Sequence, residues 1–178
     1  MTRTALLPAI ARLSAALVLG LALAGCGRDD AAAARVAAEI QPGTTCSLDG
    51  MLLADYPGPK AQIHYQGAPA PEFFCDTVEL FSMLLKPEQV RPVTAAYVQD
   101  MGRADWSHPQ GHWILAQDGW YVLGSQKHGS MGPTIASFAQ EADARRFAGD
   151  HGGRVLKFAE IKPEMVDLSG GAQHDQRM

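Results

Sequence analysis

The sequence predicts an α+β fold built from two tandem β-β-α-β units, and three observations predict it. Short strand-like runs outnumber helical ones and follow each other closely enough to hairpin together. Only two amphipathic helical patterns occur, at residues 77–86 and 140–151. Each is preceded by extended runs and followed by one more, so the order of elements recurs in both halves of the chain. The expected segments are a signal peptide (1–25), a tether (26–43), a first unit (44–105), a second unit (106–166) and a disordered tail (167–178).

The leader comes first. Arg3 and Arg12 form a positive region without acids, and residues 13–24 are apolar apart from Ser14 and Gly20. That run is short for a membrane span and suits a signal-peptide core. It ends in Leu23-Ala24-Gly25-Cys26, a lipobox pattern, so Cys26 is the expected lipidation site. Diacylation would hold the chain at a bilayer surface. Gly27 rather than Asp after the lipidated cysteine favours the outer membrane of a diderm bacterium, facing the periplasm. Cleavage loses two arginines and no acid, so the formal net charge of −4 becomes more negative by two. Such an acidic domain is a poor candidate for nucleic acid. The roughly 150 residues that remain allow one domain or two small ones.

The first unit opens with a strand at 61–65, broken by Pro69 and Pro71. Phe73-Phe74-Cys75-Asp76 then leads into the first helix, whose apolar positions are Val78, Leu80, Phe81, Leu84 and Leu85. Asp76 or Thr77 is the expected N-cap, Glu79 sits in the first turn, and Pro87 ends the helix. Residues 93–98 are rich in β-formers. In the second unit, 112–115 reads as a strand, Asp118-Gly119 as a hairpin turn, and 120–124 as its partner. A loop at 125–133 and an extended run at 134–138 precede the second helix, which should turn Ala142, Ala144 and Phe147 inward. Gly152-Gly153 ends that helix, and 154–161 reads as the last strand.

The chemistry-bearing residues are sulfur ligands. Cys46 and Met51 lie close together, with Gly50 between them to let the chain bend. Thiolate and thioether suit a soft cation, above all Cu(I), and not calcium or magnesium. Met131 sits in a Gly- and Pro-flanked loop with few apolar neighbours, an odd place for core filler. His128, three residues earlier, could add an imidazole. Met83 and Met101 read as packing, and so do Trp106, Trp113 and Trp120. Asp49 reads first as a turn acceptor. His64 lies in a strand and could face out.

Without Cys26, the cysteines are Cys46 and Cys75, which in an oxidising compartment could instead form a structural disulfide. No Cys-x-x-Cys, His-Glu-x-x-His, phosphate loop or nucleophile elbow is present, which weighs against an enzyme. A site of one cysteine and a few methionines could also be half a site, completed across a homodimer.

Several stretches together resemble the NosL family, the copper lipoproteins associated with nitrous oxide reductase maturation. They are the lipobox Cys26, the run from Cys46 and Met51 into Pro57-Gly58-Pro59-Lys60-Ala61-Gln62, Tyr97-Val98-Gln99-Asp100-Met101-Gly102 with Trp106, and the Met131-Gly132 loop. The similarity spans nearly all of the chain beyond the leader, and Gly-Pro-Lys-Ala-Gln is its most specific piece. The resemblance implies two β-β-α-β units and Cu(I) binding, with Cys46 and Met131 as ligands. It also implies delivery of copper to the tetranuclear centre of nitrous oxide reductase, with accessory assembly proteins as partners. Four residues separate Cys46 from Met51 here, where some members have one. Two rival readings remain: an interaction lipoprotein with a Cys46–Cys75 disulfide, and an organomercurial-lyase-like enzyme using Cys46 or Cys75 with Asp76, the latter by fold-level analogy alone.

Overall fold

The computed structural model describes residues 36–88, 90–166 and 168. The signal peptide, Cys26 and the tail beyond Leu168 lie outside the described residues.

The first unit is arranged around β1 (Ala61–Tyr65), all five of whose residues are buried. β1 pairs antiparallel with β2 (Glu72–Phe74) on one edge and with β3 (Val93–Gln99) on the other. Helix α1 (Thr77–Leu84) connects β2 to β3. Its N-cap is Asp76, whose Oδ1 accepts the Val78 N–H at 2.9 Å, as the sequence led us to expect. Val78, Leu80 and Phe81 are buried, and Met83 and Leu84 pack against the same core. His64 does not face out. Both flanks of β1 are covered, so its ring is 4% exposed, 3.0 Å from Gln62 Oε1 and edge-on to Tyr97.

β4 (Trp113–Leu115) corrects the expected hairpin. It pairs with β3, through Tyr97↔Leu115, Val98↔Ile114 and Gln99↔Trp113, and extends the first sheet to the order β2-β1-β3-β4. A two-residue hairpin turn needs positive φ, but Gly119 has φ −68°. Residues Ala116–Asp118 form a 3-10 turn instead, pinned where the buried Tyr121 hydroxyl donates to Ala116 O at 2.5 Å. The chain therefore changes sheets between β4 and β5 (Trp120–Leu123).

β5 is the centre of the second sheet. The segment expected as a loop contains a small hairpin, β6 (His128–Gly129) and β7 (Gly132–Pro133). β8 (Ala136–Phe138), α2 (Glu141–His151) and β9 (Arg154–Lys157) follow. The sheet order β8-β5-β9 repeats β2-β1-β3, so both units place their first strand between the second and the last. β9 is shorter than expected because Phe158–Glu160 turns into 3-10 geometry. On α2, Ala144 is buried and Phe147 packs inward, but Ala142 is exposed.

One core joins the units. Phe81 of α1 meets Tyr121 of β5 edge-on at 5.0 Å, and Phe158 packs against both rings. A second cluster under α2 takes in Met101, Trp106, Trp120 and Phe147, in the packing roles expected for Met101 and two of the tryptophans. Upstream of Thr44, Gln62 exchanges two hydrogen bonds with the Ala38 backbone, and Ile40 packs beside Leu53. At the other end, Leu168 packs on the main core.

Two glycines give opposite tests of this packing. A Cβ on Gly129 would lie 2.1 Å from Asp76 Oδ2, whereas one on Gly149 of α2 meets nothing within 4 Å. Gly129→Ala should destabilise the domain by about 1–3 kcal/mol. Gly149→Ala should stabilise it by about 0.5–1 kcal/mol. Urea unfolding of both variants measures the difference.

Candidate metal centre

Four side chains bring potential ligand atoms within 4.8 Å of one another: Cys46, Asp49, Cys75 and Glu79. Each arrives from a different local cause. Residues 46–51 form a tight loop, in which Cys46 N–H donates to Met51 O at 2.8 Å and Gly50 N–H to Cys46 O at 2.9 Å. Gly50 has φ +80°, a left-handed turn that suits glycine. Asp49 Oδ1 accepts the Met51 N–H, so the turn role expected of Asp49 is present, while its other oxygen lies 3.9 Å from Cys75 Sγ. Ser47 N–H donates to Phe73 O at 2.7 Å, docking the loop on β2 two residues before Cys75.

Cys75 and Glu79 straddle the start of α1. Four residues apart, they meet on one face of the chain. Glu79 Oε2 accepts the Cys75 N–H at 3.0 Å and lies 3.2 Å from Cys46 Sγ and 3.4 Å from Cys75 Sγ. Both cysteines are free thiols, with this carboxyl bonded to each, rather than the disulfide weighed from sequence. Cys46, Cys75 and Glu79 are buried, and Asp49 is exposed, so Asp49 marks the solvent side.

The second unit closes the other side. Ser130, in the β6–β7 turn, donates from its hydroxyl to Cys75 O at 2.9 Å and lies 3.2 Å from Cys75 Sγ. The turn is seated by Thr134, whose hydroxyl donates to Asp76 Oδ1 at 2.5 Å, and by Thr77, which donates to Ile135 O at 2.5 Å. Met131, next to Ser130 at the tip of the turn, is half-buried. Met51 is also half-buried, on the Cys46 loop. His128 is exposed on β6 and is not one of the four clustered groups.

The electrostatics separate the two thiols. Hydrogen bonding from the Cys75 thiol, aided by backbone N–H groups including that of Leu48, lowers Cys46 to about 6 against the cost of burial. The same pairing, together with burial, raises Cys75. Burial and the neighbouring Cys46 raise Glu79 to about 8. Near neutral pH the centre therefore holds one thiolate, one thiol and a largely protonated carboxyl. Such a group can bind a soft cation once Cys75 loses its proton.

Sequence reasoning weighed Cys75 only for a disulfide or an enzymatic role, and Glu79 only for its helix-end charge. The legible signal was the Cys75-x-x-x-Glu79 spacing across a helix start. Ser130 had no signal, because its contact depends on how the units dock.

The thiols and the carboxyl give two expectations. Ultraviolet thiolate absorbance of the copper-free protein should rise by one thiolate, not two, between about pH 5 and about pH 8. Glu79 is neutral in the fold up to about 8 and ionises from 4.5 when unfolded. The native state holds more protons in that window, so the Glu79 contribution to stability falls as pH rises through it. Cys46 acts oppositely between about 6 and 9. Urea unfolding of Glu79→Gln against the parent, at the two ends of the Glu79 window, should show the variant lacking the downward slope.

The chain as a whole is similar to known proteins. The NosL family model matches residues 37–166. The copper-binding lipoprotein NosL of Stutzerimonas stutzeri is 38% identical over 166 residues, covering 89% of this chain and 84% of that protein. The copper-binding lipoprotein NosL of Achromobacter cycloclastes is 39% identical over 150 residues, covering 82% and 78%. The crystal structure of the copper chaperone NosL from Shewanella denitrificans superposes with a TM-score of 0.69 at 39% identity, covering 74% of this chain and 98% of that one.

Proposed function

The chain belongs to the NosL family, and from that premise we propose that it is a membrane-anchored Cu(I) carrier. The family members above are named for copper binding and copper chaperoning, not for an enzymatic activity. The observation that carries the reading is the convergence of Cys46 and Cys75 with Glu79 and Asp49. Two sulfurs suit Cu(I) far better than they suit a hard cation. In this reading Cys46 and Cys75 supply thiolates. Met131 closes the site from the β6–β7 turn, with Met51 at hand on the Cys46 loop and His128 as a nearby exchange ligand. Copper is cargo, so ligands on two loops favour transfer over permanent retention.

The destination is the tetranuclear copper centre of nitrous oxide reductase, reached with assembly accessory proteins in the periplasm. Lipidation at Cys26 holds the carrier on the periplasmic face of the outer membrane. These steps rest on the family resemblance and on the leader sequence.

The test is an anaerobic Cu(I) titration of the reduced, detergent-purified chain against a competing chelator. One tightly bound Cu(I) is expected. Cys46→Ser, Cys75→Ser and Met131→Ala should each weaken binding by at least about ten-fold, the scale on which losing a metal-site group is felt. Met83→Leu should leave it unchanged. Affinity should rise with pH as the Cys75 and Glu79 protons are displaced. No tight binding with both thiols counted free would sink the carrier reading, and so would indifference to both cysteine changes.

A further inference from the structure

Lys60 is a fully buried cation that the ligand set leaves unexplained. It is 0% exposed. Its ammonium donates to Pro57 O at 2.9 Å and to Cys75 O at 3.1 Å. Among the described residues no carboxylate is in ion-pair contact with it, although Asp76, Glu79 and both cysteines lie within electrostatic range. A buried ammonium on two carbonyls is costly unless nearby negative charge offsets it. Asp76 is one source: its Oδ1 accepts the Val78 N–H and the Thr134 hydroxyl, and its Oδ2 is buried with no hydrogen-bond partner. A second is the Cys46 thiolate, joined by that of Cys75 once a metal displaces its proton.

Two thiolates around Cu(I) carry one net negative charge, in a pocket where water cannot screen it. We propose that Lys60 is a positioning residue that supplies the counter-charge for a bis-thiolate Cu(I) complex at Cys46 and Cys75. It acts through its field and through its hold on the Cys75 carbonyl, without touching the metal. The fold dedicates a tight approach to keeping it there. A Cβ on Gly58 would lie 2.8 Å from Gly129 Cα, so the Pro57-Gly58-Pro59 segment passes flush against the β6–β7 hairpin. That passage leaves Pro57 O facing the ammonium. Lys60 N–H is itself held by Gln99 Oε1 at 3.0 Å. The proposal rests on the Cu(I) reading above, and it makes a prediction about charge which that reading does not.

The test compares two thiophilic cations of different charge. Hg(II) on the same two thiolates gives a neutral complex, so it needs no counter-charge. Cu(I) and Hg(II) affinities would be measured by competition on the full chain in detergent, for the parent, Lys60→Met and Lys60→Gln. Glutamine keeps N–H donors while removing the charge, and urea unfolding checks that each variant folds. In both variants Cu(I) affinity should fall by about ten-fold or more relative to Hg(II) affinity, because the two complexes differ by one unit of charge while the metal-free reference is common to both. Should Lys60→Met fail to fold, Lys60→Gln decides. An equal change for both metals would reduce Lys60 to a structural strut, and no change for either would remove it from the site; either overturns the proposal. Parent protein that binds Hg(II) but not Cu(I) would overturn the carrier reading itself, a result distinct from either of those.

Discussion

The Asp76 carboxylate is the joint on which the centre depends. One oxygen caps α1 through the Val78 N–H and also accepts the Thr134 hydroxyl from the second unit. The helix start, the position of Cys75 and the seating of the β6–β7 hairpin are thus one interaction seen from three sides. Asp76 is completely buried, and burial raises its pKa to about 6 despite the Thr134 hydroxyl. The fold bears that cost because a hydrogen-bonded buried carboxylate fixes direction in a way that apolar packing does not.

Around that joint the centre concentrates more polar chemistry than a small core normally carries. Lys60, Asp76, Glu79 and two cysteines are all buried in contact or near-contact. Each would be expensive alone. Together they share protons and compensate charge, which leaves Cys46 ready as a thiolate while Cys75 and Glu79 hold protons in reserve. On the proposed function, a soft cation would displace those protons on binding.

The architecture also suits release. The proposed ligands come from two short loops and a helix end, and only Asp49 among the four clustered groups faces solvent. Residues 47–50 form an exposed rim beside the buried sulfurs. A closed cage of four ligands on rigid strands would hold metal more firmly and pass it on less readily.

Local pattern determined much of this protein. Helix periodicity placed α1 and α2, the cap of α1 was narrowed to Asp76 or Thr77, and the recurring order of elements foretold two β-β-α-β units, because periodicity and capping are properties of neighbouring residues. Cys46 and Met131 stood out as sulfur side chains in Gly-flanked loops, and of the two the structure puts Cys46 in the four-residue cluster. What only the tertiary structure decided were the long-range pairings. β4 joined β3 instead of turning back onto β5, since backbone φ at Gly119 and the buried Tyr121 hydroxyl outweighed a turn-like dipeptide. Cys75, Glu79 and Ser130 came together with Cys46 because loop 46–51, the start of α1 and the β6–β7 hairpin dock on one another. No spacing along the chain encodes a contact such as Ser130 on Cys75, 55 residues apart.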